Sequence, residues 1–122
     1  MTPTSFEILS KRVLACRNWK WLPGMSVICP PKHYGSTGFF VRVDRDDWIA
    51  SDTDMPNLYD GCTLGGMLAL VRSAWHDATA HVSPVTSVGT TWCVTVKIET
   101  GHKWFYGSTE AEALIEALEA AP

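Results

Sequence analysis

The stretch Thr63 to His76, TLGGMLALVRSAWH, constrains this chain more than any other. At 3.6 residues per turn, Leu64, Met67, Leu68, Val71 and Trp75 fall on one side, and Gly65, Arg72, Ser73 and His76 fall on the others. A helix with such a stripe needs a sheet or a second helix to cover it. The rest of the chain reads as the covering material, which makes this helix the expected organising element. Its Gly65-Gly66 pair forfeits roughly 1 kcal/mol of helix propensity per glycine. Close packing of another backbone is one explanation.

With 122 residues, 46% of them hydrophobic and 19% charged, the chain is expected to form one globular domain spanning 1–122. No apolar run reaches the roughly 20 residues of a membrane helix. The opening MTPTSFEILSKR has none of the layout of a secretory signal. Cys16, Cys29, Cys62 and Cys93 are spaced irregularly and are expected to stay reduced and packed. Six Trp in so short a chain point to a core or an interface rich in them.

Turn residues and apolar periodicity divide the chain into elements. Thr4 to Cys16 reads as a helix, with Thr4 and Glu7 at capping-box spacing and Phe6, Leu9, Val13 and Cys16 as its stripe. Pro23-Gly24 is a turn, Met25 to Cys29 a short strand, residues 32 to 38 a hairpin loop, and Phe39 to Val43 the returning strand. Residues 44 to 61 read as an acidic surface loop. After the central helix, Thr79 to Val85 is a weak strand in which Pro84 suggests an edge or an exit. Ser87 to Thr90 is a turn. Thr91 to Glu99 alternates strongly, and Lys103 to Tyr106 returns antiparallel to it. Thr109 and Glu112 open a last helix whose face is Ala111, Leu114, Ile115 and Leu118. The expected class is α+β: an antiparallel sheet of four to five strands packed by three helices, in the order α-β-β-α-β-β-β-α and in two layers or a sandwich.

Catalytic patterns are scarce. There is no G-x-S-x-G elbow, and consecutive His76-Asp77 on a helix do not face each other as a dyad would. Gly35 to Gly38 lacks the Lys and the following helix of a phosphate loop. Cys29 and His33 have C-x-x-x-H spacing but no local second pair to complete a zinc site. The acidic loop lacks the D-x-D-x-D-G order of a calcium site. No enzyme activity, cofactor or metal is therefore expected.

Charge is more informative. Up to residue 45 there are seven basic residues against two acidic; from 46 onward there are three against eleven. Arg12, Arg17, Trp19, Lys20 and Trp21 interleave cations with indoles, the pattern that neutralises phosphates and stacks bases. These five are the candidate binding residues. The competing reading has Trp19 and Trp21 closing the end of the first helix onto the sheet.

The segment Arg17 to Met25 (RNWKWLPGM), with TLGGMLALVRSAW and the closing GSTEAEALIEALEAAP, resembles small uncharacterised proteins of tailed phages and prophages. The strand carrying Trp, the aromatic strand and the T-E-A-E-A-L-x-x-A-L ending are also similar to the phage ABA sandwich domain. The resemblance implies an accessory protein in the bacterial host cytoplasm and brings no catalytic residues. The expected function is protein binding, to a host or phage protein or to a second copy as a homodimer, with host-defence inhibition as one such role. The alternative is single-stranded nucleic-acid binding through residues 12–21.

Overall fold

A computed structural model describes residues 5–28, 40–43, 55–85 and 91–122. The fold is α+β. Helix α1 spans Ser5–Ala15, strands β1, β2 and β3 span Met25–Ile28, Phe40–Val43 and Met55–Pro56, and helix α2 spans Gly61–Trp75. Strands β4, β5 and β6 span His81–Val85, Thr91–Ile98 and Gly101–Gly107, and helix α3 spans Glu110–Ala120. The six strands form two antiparallel three-stranded sheets, β2-β1-β3 and β4-β5-β6, where one sheet of four to five strands was expected. The extra strand is β3, inside the expected 44–61 loop: Ile28 pairs with Met55 and Val27 with Pro56. A two-residue strand carries no periodicity, so the sequence pattern does not announce it. Residues 44–54 of that loop, the 32–38 hairpin loop, the 87–90 turn and the Thr4 cap lie outside the described residues.

The organising helix is α3, not α2. It packs on β4, β5 and β6 and on both other helices. Ala111, Ala113, Leu114, Ile115, Ala117 and Leu118 are all buried, which covers most of its circumference. Alanines at 113 and 117 are small enough to let neighbours approach from directions that the Leu114–Leu118 face does not serve. The Thr109 hydroxyl caps the helix by accepting from the Glu112 amide at 3.1 Å. The other arm of the expected box is diverted, because the Glu112 carboxylate accepts from the Ser108 hydroxyl at 2.8 Å. Gly107 ends β6 directly against the first turn of α3. A Cβ there would sit 2.5 Å from the Ala113 nitrogen, so only glycine fits.

Helix α2 buries Thr63, Met67, Leu70 and Val71, with Leu64, Leu68 and Trp75 half-buried beside them. Its start and end are fixed by side chain and backbone. The Asp60 carboxylate accepts from the Cys62 amide at 3.3 Å. At the other end His76 takes a left-handed conformation (φ 53°), and the His76 and Asp77 amides close onto the last carbonyls. Thr63 Oγ1 accepts from the Ser26 amide at 2.9 Å, tying β1 to the first turn of the helix. The Gly65-Gly66 expectation is corrected: a side chain packs there, not a backbone. A Cβ on Gly66 would lie 2.7 Å from Met25 Cε, while one on Gly65 would meet nothing.

Candidate functional site

The five residues expected to bind lie in the second half of α1 and the segment after it, and two of them, Arg12 and Arg17, are engaged with α3 and its C-terminal cap. Arg12 Nη2 is 2.9 Å from Glu116 and also pairs with Glu119. Hydrogen bonds to Glu119 and then Glu116 hold its guanidinium well above its ordinary pKa. Arg17 donates to the Ala121 carbonyl at 3.2 Å, and neighbouring Asn18 donates to the Leu118 carbonyl at 3.1 Å. Both close the C-terminal end of α3, where carbonyls lack helical partners. Trp19 and Trp21 are half-buried against the core, edge to face with ring centroids 5.3 Å apart. Lys20 is exposed. Arg12 therefore has its charge paired within the molecule, Arg17 stays exposed while donating to a backbone carbonyl, and the Trp pair packs against the core.

Strand parity identifies a different surface. Val94 and Val96 of β5 are fully buried toward α3, and their β6 partners are Phe105 and Lys103. Trp75, at the end of α2, holds that side together. Its Nε1 donates to the Ala117 carbonyl at 2.9 Å, Phe105 lies 5.7 Å from its ring, and the Lys103 ammonium sits 5.5 Å over it. The opposite parity puts Cys93, Thr95 and Lys97 of β5 beside Tyr106, Trp104 and His102 of β6, with His81 and Ser83 of β4 on the far flank. Trp104 and Tyr106 are each 56% exposed. His102 lies 6.2 Å from Trp104. No Asp or Glu occupies any position of β4, β5 or β6. This outer face is an aromatic, mildly cationic patch on a chain of net charge −3.

A concavity of about 390 Å³ lies where α1, the β3–α2 connection and the start of α3 meet. Leu9, Leu58 and Leu64 contribute its apolar lining. Ile8, 47% exposed, and Tyr59, 75% exposed, stand at it. Glu110 and Glu112 give it carboxylates, and Arg12, the lining cation among the described residues, is already held by Glu116 and Glu119.

Other expected candidates are placed as follows. Cys29 and His33 lie outside the described residues. Among the described residues no three His, Cys, Asp or Glu come together as a metal cluster. Cys16 is half-buried and Cys93 buried, as expected, but Cys62 is exposed, because it sits in the first turn of α2 off the buried stripe. His76 is the left-handed cap of α2. Asp77 does not serve it; the carboxylate accepts from the Thr79 hydroxyl and amide and from the Lys97 amide at 2.8 Å. These bonds, the Thr79 hydroxyl foremost, lower its pKa to about 2. Asp77 thus fastens the α2–β4 turn to the end of β5.

The sequence pattern did not single out Trp104, Tyr106, Ile8 or Tyr59. In HKWFY both parities carry an aromatic, so alternation alone does not say which face is wet. Ile8 had a signal: it is a large aliphatic residue off the Leu9–Val13 stripe.

Comparison of the chain with protein-family models, with curated proteins and with solved structures finds no match. No helix among the described residues is long and apolar enough to cross a membrane.

Proposed function

We propose that this chain is a non-catalytic accessory protein, of the phage or prophage kind its motifs resemble, that acts by docking a protein on the outer face of β4-β5-β6. The carrying observation is the pair Trp104 and Tyr106, each more than half exposed, side by side on one face. Tryptophan and tyrosine are the side chains that dominate interface energetics, and a centre depleted in carboxylates suits a dry contact. Leaving two large aromatics in water serves no folding purpose that the core needs. A bacterial host cytoplasm and a host or phage protein as partner fit this reading through the resemblance of Arg17–Met25 and the closing helix.

Single-stranded nucleic acid is the second reading, and the same face favours it over residues 12–21. Trp104 and Tyr106 stand two residues apart on a strand, about 7 Å, which suits stacking of successive splayed bases. The overall acidity and the single lysine on that face place it second.

The test is affinity capture of the tagged protein from host lysate, with and without nuclease, beside a Trp104→Ala/Tyr106→Ala variant. A protein retained by the wild type after nuclease and lost by the variant supports the proposal. Material lost on nuclease treatment transfers the face to nucleic acid. A partner held equally by the variant refutes the docking face.

A further inference from the structure

The molecule carries two surfaces of opposite character that share no residue. One is the outer face of β4-β5-β6, where Trp104 and Tyr106 project among His102, Lys97 and His81 with no carboxylate on the strands. The other is the 390 Å³ groove by the start of α3, apolar inside and bordered by Glu110 and Glu112. They lie on different sides of α3: the sheet presents its inner face to that helix, while the groove opens where α3 meets α1. What fits the groove is a bulky apolar side chain flanked by cations. What Trp104 offers is a bulky apolar side chain flanked by His102 and Lys97.

We infer that the partner of the sheet face is a second copy of this chain, bound head to tail, with Trp104 of one copy seated in the Ile8–Leu58–Leu64 groove of the next. Charge complementarity selects this occupant, since Glu110 and Glu112 at the groove oppose Lys97 on the face. The groove's volume lies in the range that side-chain-sized and small-ligand anchors occupy. In this head-to-tail arrangement the contact is heterologous, and each copy at an end keeps one unused half. Repetition then yields a ring or an open chain rather than a symmetric pair. The inference rests on the sheet face being a protein-docking surface and adds which protein it docks.

Two variants separate the halves. Trp104→Ala removes the knob and leaves the groove; Glu110→Lys reverses the groove's charge and leaves the knob. Circular dichroism checks that each is folded. Sedimentation velocity is run from about 1 µM to about 500 µM, a span that covers weak protein association. The wild type is expected to associate with rising concentration, and to do so less as salt shortens the reach of its charges. Each variant alone is expected to associate at least about tenfold more weakly. An equimolar mixture of the two is expected to regain wild-type contact strength but to stop at a dimer, since the mixed pair has one intact knob and one intact groove.

A wild type that stays monomeric across the range overturns the inference; if Trp104→Ala/Tyr106→Ala still abolishes capture of another protein, the docking face stands without it. Association that Glu110→Lys leaves intact while Trp104→Ala abolishes it also overturns the inference, and points to a symmetric sheet-to-sheet dimer. A mixture no stronger than its components overturns it as well.

Discussion

Gly65 and Gly66 are adjacent in one helix, yet substitution by alanine is expected to act with opposite sign at the two. Both positions gain about 1 kcal/mol of helix propensity. At Gly65 the new methyl meets nothing within 4 Å, so the whole gain appears as stability. At Gly66 it falls 2.7 Å from Cε and 3.1 Å from Cγ of Met25, a fully buried side chain. The methyl end of Met25 can swing, but Cγ is close to its own backbone and core neighbours restrict it. Overpacking of this kind costs about 1–3 kcal/mol. The net for Gly66→Ala is then between roughly zero and 2 kcal/mol of destabilisation. Urea unfolding followed by tryptophan fluorescence reads both. For a domain of this size, thermal midpoints should separate by about 3–5 °C per kcal/mol. A double-mutant cycle with Met25→Ala assigns the cause. If the clash is with Met25, the truncation costs less in the Gly66→Ala background, with a coupling of about 1–3 kcal/mol. Gly66→Ala stabilising as much as Gly65→Ala, or a coupling near zero, refutes the reasoning.

Two further expectations follow from the turn after α2. His76→Gly should stabilise by about 0.5–1 kcal/mol in urea unfolding, because His76 is exposed and holds a left-handed φ of 53° that a Cβ disfavours; a loss of stability would assign the imidazole a packing role. Asp77→Asn should reshape the acid limb of the stability curve. The folded pKa of Asp77 is lowered from 3.8 to about 2, so its charged form supports folding fully above the higher value and that support is lost as pH falls through the lower one. Urea midpoints of wild type and variant should differ near neutral pH and converge toward pH 2; a gap independent of pH would refute this.

The legible parts of this fold carry their signal locally. The β5–β6 hairpin shows alternation and the Thr100-Gly101 turn, and α3 announces its start with Thr109 and Glu112. Of the two readings Pro84 allows, an edge or an exit, the edge is the one met among the described residues, where β4 is an outer strand of its sheet. The rank of the helices was not legible. The stripe of α2 is the more obvious one, but centrality depends on how many sides of a helix are buried, and alanines at 113 and 117 look neutral in sequence while widening the buried face of α3 beyond its Leu114–Leu118 side. The five candidate binding residues were adjacent in sequence, which made them visible as a motif. The engagement of Arg12 with Glu116 and Glu119 and of Arg17 with Ala121 was not, because those partners lie a hundred or so positions away. The sheet face was hidden for a different reason, since its cations and aromatics come together only through cross-strand register.

That long separation has a consequence for how the protein is made. The contacts of α1 and of the segment after it reach across 100 to 107 residues, from Asn18 to Leu118 and from Arg12 to Glu119. Closing a chain segment of that length carries an entropic term of about 4 kcal/mol. By contrast, β4, β5, β6 and α3 follow one another over residues 81–120 and pack on their immediate neighbours in the chain. At roughly 5–20 residues per second, α1 leaves the ribosome some 5–20 seconds before the surface that receives it exists. During that interval Leu9, Val13 and Trp19 have no core to enter, so a nascent chain stalled before α3 should be a chaperone client, whereas one stalled before α1 has packed back should already hold a folded C-terminal unit.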